Sequence, residues 1–123
     1  MKDEVVEKGI RFLAIYLETK NSVLVLLSEA EDQLGTLAAS VPPSTEIRVQ
    51  PLLSSVLLGD RHTITARMLA ERLATKAGKI GLVSVHLKTM GETEANPILV
   101  RLFEKVVKEA KATEEVKGES IST

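Results

Sequence analysis

The 123-residue chain of 13.4 kDa is long enough for one domain with a single modest core. It has no Cys, which excludes disulfides, a thiolate nucleophile, Cys-ligated zinc and iron–sulfur clusters. Phe12, Tyr16 and Phe103 are its only Phe, Tyr or Trp residues and the net charge is −1, so neither a base-stacking platform nor a field that attracts polyanions is encoded.

The N-terminus, Met1-Lys2-Asp3-Glu4, is acidic where a secretory signal is basic. The apolar run Val23–Leu27 falls far short of a membrane span. A cytoplasmic protein without a membrane partner is the expectation. Residues 9–18 are rich in β-branched and aromatic side chains, and a polar break at Thr19-Lys20-Asn21-Ser22 separates them from Val23–Leu27. Two such segments read as a β-hairpin. Phe12, Ala14 and Tyr16 alternate with Leu13, Ile15 and Leu17, so both faces of the first strand are apolar and both need cover. One cover would be the chain's own helices. A second copy would supply the other, which makes Leu13, Ile15 and Leu17 candidates for a dimer interface.

After an acidic connector, Glu29–Gln33, residues 34–41 form a weaker strand candidate ended by Pro42-Pro43. Residues 46–58 give another, with Ile47, Val49 and Leu53 on one face and Pro51 marking an edge or bulge. The first helix runs from Thr63 to Ala77: Ala66, Leu69, Ala70, Leu73, Ala74 and Ala77 recur at helical spacing, and Gly78 supplies the stop. Lys79–Leu87 is a strand. Asn96-Pro97 has the form of an N-cap followed by proline at the first helical position, and Ile98, Leu99, Leu102, Phe103, Val106, Val107 and Ala110 fill one stripe of the helix behind it. The predicted fold is α+β, a largely antiparallel sheet with two helices on one face. The domain covers residues 1–112, and 113–123 form a flexible tail.

No catalytic constellation emerges. His62 and His86 are the only histidines, and neither has a partner at metal-ligand spacing. Asp60 or Thr63 acting as an N-cap accounts for the loop around His62 without chemistry. Ser54 and Ser55 lie in no nucleophile elbow, and no phosphate-binding glycine loop occurs. Neither a catalytic residue, a cofactor site nor a metal site is expected. A small ligand-binding protein with a pocket near Asp60, His62 and His86 is one rival reading. Charge is uneven: residues 60–79 carry Arg61, Arg67, Arg72, Lys76 and Lys79 against Asp60 and Glu71. Such a stretch is either a solvated helix face or a surface that steers toward an acidic protein partner; without aromatic support it is no nucleic-acid patch.

Ser54-Ser55-Val56-Leu57-Leu58-Gly59-Asp60, Ala70-Glu71-Arg72-Leu73-Ala74-Thr75-Lys76 and Ile80-Gly81-Leu82-Val83-Ser84-Val85-His86-Leu87, continued by the helix from Asn96 to Ala110, resemble the proteasome assembly chaperone family. The resemblance is closest to the fourth eukaryotic member, as an archaeal homologue would be, and covers roughly residues 9–110. It implies a non-enzymatic chaperone, a dimer with itself or a related chaperone subunit, that holds a proteasome α subunit during ring assembly. Leu57, Leu58, Gly59 and Asp60 are the nominated partner contacts. A dimeric scaffold of the roadblock or longin sort is the alternative.

Overall fold

Lys8 and Gly9 both take left-handed backbone angles, φ 53° and 75°. That is the geometry of a two-residue hairpin turn whose twist matches the strands it joins. It connects β1 (Lys2–Glu7) to β2 (Ile10–Glu18). The sequence reading leaves Lys2–Glu7 outside any element, because four of its six residues are charged. The computed structural model describes residues 1–42 and 54–122, with side chains through residue 112. Thr19–Asn21 turns the chain into β3 (Ser22–Glu29), completing the expected hairpin. There follow β4 (Thr36–Ser40), β5 (Ser54–Leu58), α1 (Thr63–Ala77), β6 (Ile80–His86) and α2 (Glu92–Ser122). The predicted strand at 46–58 is described only from Ser54 onward; Ile47, Val49, Pro51 and Leu53 lie outside the described residues.

The sheet order is β1-β2-β3-β6-β4-β5. Among the described strands only β3 and β6 pair in parallel, since α1 returns the chain to insert β6 between β3 and β4. The fold class is therefore α+β with a mostly antiparallel sheet, as the sequence pattern predicts. Phe12 and Ala14 of β2, Val23, Val25 and Leu27 of β3, and Val83 and Val85 of β6 share one core with Leu69 and Leu73 of α1 and with Leu99, Leu102, Phe103 and Val106 of α2. The helices lie on one face of the sheet. α1 approaches β6 closely because its inner stripe is alanine and the strand offers Gly81: a Cβ there would sit 2.7 Å from Ala70 O.

α1 starts where the sequence places it, but its cap and the start of α2 differ from the sequence reading. His62, at φ 58°, occupies the N-cap of α1, and its side chain makes no capping bond. Neither Asp60 nor Thr63 caps the helix. The acceptor comes from α2: Glu92 Oε2 takes the Thr65 N–H at 3.3 Å and the Thr65 hydroxyl at 2.9 Å. α2 begins at Glu92 rather than beside Asn96, with the Ala95 amide already bonded to Gly91 O at 2.9 Å. Asn96 instead donates through Nδ2 to Thr65 Oγ1 at 3.0 Å. Pro97 sits in the second turn, where its ring removes one backbone donor. Past Ala110 the apolar stripe ends, yet the backbone stays helical to Ser122, through the segment read as a tail. Lys, Glu and Ala are good helix formers, so a helix can outrun its packing.

Candidate partner-binding surface

Strand pairing determines which side chains share a face. In the β2–β3 register Leu13 lies opposite Ser28, Ile15 opposite Leu26 and Leu17 opposite Leu24, and Leu24 in turn neighbours Leu82 of β6. These residues alternate with Phe12, Ala14, Val23 and Val25, so they occupy the face away from the helices. The three nominated residues thus share one sheet face. Leu13 is 3% exposed there and Leu17 is 56% exposed. Among the described residues no helix covers this face, yet Leu13 is buried on it and Leu17 forms its exposed end. Beside Leu13, the buried Ser28 Oγ has no hydrogen-bond partner among the described residues.

The other nominated residues stand at the corner where β5 turns into α1. Leu57 and Leu58 are 55% and 50% exposed, and Asp60 is exposed beside them. Gly59 adopts φ 85°, and a Cβ there would come within 2.5 Å of Thr36 Oγ1, so the loop depends on glycine at this point. Ile64, on the first turn of α1, is the most exposed large apolar side chain described. A cleft of about 360 Å³ opens at the same corner and brings His62 and His86 together with Asp60 and Arg61. The His62 Nδ1 faces Glu92 Oε1 at 3.7 Å. No group of three or more metal-ligating side chains occurs among the described residues.

Ser54 is held in a polar cluster: its Oγ hydrogen-bonds to Glu71 and accepts from Arg67 Nε at 3.1 Å. No histidine takes part in that cluster. The basic stretch 60–79 is largely neutralised by tertiary partners. Arg72 and Lys76 both bind Glu104, and the Lys76 hydrogen bond in particular, with Arg72 adding to it, holds that carboxyl below the ordinary glutamate value. Lys79 binds Glu18 at 2.5 Å and lowers it in the same way. The sequence tally of positive charge therefore overstates what this surface presents to an acidic partner; Arg61 and Arg67, next to β5, are what remains.

The most buried carboxylate escaped the sequence reading. Glu29, at the end of β3, is 2% exposed and accepts from the Thr89 N–H and hydroxyl, each at 2.7 Å, and from the Met90 N–H at 3.0 Å. It sat in what reads as an acidic connector, and nothing local distinguishes it from Glu31. No helix among the described residues is long and apolar enough to cross a membrane.

No family model and no curated protein sequence matches the chain. Among solved structures, the crystal structure of a chaperone complex for yeast 20S proteasome assembly matches it with a TM-score of 0.57. The two are 12% identical, and the match covers 90% of this chain and 96% of that one. At that identity the likeness is one of fold: the chain has the fold of a proteasome assembly chaperone subunit.

Proposed function

We propose that the chain is a non-enzymatic assembly chaperone of the cytoplasm that binds proteasome α-type subunits as a dimer. The observation that carries this reading is the shared fold, which extends over nearly the whole of both chains. The apolar sheet face around Leu13, Ile15 and Leu17 supports pairing with a second copy or with a related chaperone subunit. Leu57, Leu58, Gly59 and Asp60 would then contact the α subunit, leaving the sheet face to the dimer. The chemistry is reversible masking: the dimer covers one face of a subunit, orients it and is displaced as the ring closes. A transient interface of that kind belongs at the lower end of the standard size, about 1,200 Å² in total.

The test combines light scattering of the purified chain with affinity capture of its own organism's α subunits. The wild type should be a dimer at micromolar concentration and should retain an α subunit. Leu17→Asp, at an exposed position, should give a folded monomer. A monomeric wild type would remove the dimer from the proposal. A dimer that ignores every α subunit would move the assignment to a roadblock or longin-like scaffold.

A further inference from the structure

The two edges of the sheet are built differently. β1 carries Lys2, Asp3, Glu4 and Glu7, and each is paired: with Asp32 at 2.6 Å, Lys105 at 3.3 Å, Arg11 at 3.9 Å and Arg101 at 2.9 Å. Charge along an edge strand is a defence against pairing with another chain. β5, at the opposite edge, reads Ser54-Ser55-Val56-Leu57-Leu58, without a charge or a proline. Among the described residues its only strand partner is β4.

The helix beside this edge extends the same surface. The bonds from Ser54 to Glu71 and Arg67 place the α1 face of Ile64, Arg67 and Glu71, spaced i, i+3 and i+7, along β5. Ile64 is 77% exposed at one end of that face. Arg72, Lys76 and Lys79 are paired with carboxylates, whereas among the described residues no carboxylate pairs with Arg61 or Arg67. An uncharged edge strand, exposed leucines and two guanidinium groups without a carboxylate partner among the described residues thus lie side by side, Arg67 through a bond to Ser54 of the strand itself.

We infer that β5 is an open docking edge that takes an extended, acidic segment of the partner polypeptide as an added strand. Main-chain hydrogen bonds to β5 supply the binding, and apolar side chains against Leu57 and Ile64, with a carboxylate toward Arg61 and Arg67, supply the selectivity. The inference rests on the reading of Leu57–Asp60 as the partner contact and gives that contact its mode and its preferred chemistry.

Hydrogen exchange of the full chain, with and without a purified proteasome α subunit, tests it. The β5 amides should gain protection in the complex. Leu57→Lys, and Arg61→Glu combined with Arg67→Glu, should each weaken binding by about tenfold or more while the thermal melt is unchanged. Val6→Lys, on the guarded edge, should bind as the wild type does. A complex in which β5 exchanges as in the free chain, and which these variants do not weaken, overturns the docking edge and leaves the proposed function intact. Absence of any complex removes the proposed function. The edge is then decided by a short synthetic peptide with valine at alternate positions and glutamate at one end, compared with its lysine counterpart. Protection of β5 by the glutamate peptide alone supports the inference, and protection by neither, or by both equally, overturns it.

Discussion

Glu29 shows how one buried charge can hold two elements together. Burial opposes its ionisation, but the Thr89 hydroxyl and the Met90, Thr89 and Lys88 amides outweigh that cost and keep its carboxyl below the ordinary glutamate value. The carboxylate thereby satisfies the loop between β6 and α2. Glu29→Gln removes the charge and one acceptor oxygen, and should cost about 2 kcal/mol at neutral pH, read by chemical denaturation. The sign of the pH dependence follows. A carboxyl that binds its proton less readily in the folded state contributes stability above its unfolded pKa and loses it as pH falls through the folded value. The gap between wild type and Glu29→Gln should therefore hold at neutral pH and narrow as the pH falls through the acid range. A gap that stays constant would mean that the carboxylate charge contributes nothing.

At the scale of elements, α1 packs on β6 without slack. A methyl group at Gly81 would meet Ala70 O and Ala74 N at 2.7 Å, backbone atoms that cannot swing aside. Gly81→Ala should cost about 1–3 kcal/mol of stability through displacement of the helix, measured by thermal or chemical unfolding. The extent of α1 was legible from its alanine and leucine spacing and from Gly78, which takes φ 66° and bonds back to Ala74 O. The start of α2 was not. Asn96-Pro97 has the residues of a helix start, but Asn96 is committed to Thr65 across the helix pair, a bond between residues 31 positions apart. Glu92 works over a similar distance as a cap for a helix other than its own. Glu92→Ala should free the first turn of α1, seen as faster amide exchange at Thr65 and a stability loss of about 1 kcal/mol. β1 was illegible for the same reason: Asp3 and Glu7 find their partners on α2, nearly a hundred residues downstream.

For the whole molecule, the two-layer fold leaves one sheet face without a helix among the described residues. That face could be read from sequence because alternation is local: Leu13, Ile15 and Leu17 differ from Phe12, Ala14 and Tyr16 only in which side they take. The corner at Leu57–Asp60 was legible as a matched loop, whereas its surroundings depend on tertiary placement. Nothing in the chain order brings His62 beside His86, or separates Arg61 and Arg67 from the basic residues neutralised by Glu104 and Glu18. One sheet edge is guarded by paired charges and the other is uncharged, so the proposed dimer face and docking edge would be separate surfaces. Native mass spectrometry of the chain co-expressed with its organism's proteasome α subunit tests that arrangement most directly. The account predicts a discrete species of two copies of the chain with an α subunit, absent from mature particles. A dimer that passes through unbound, with α subunits assembling as they do without it, would contradict the account.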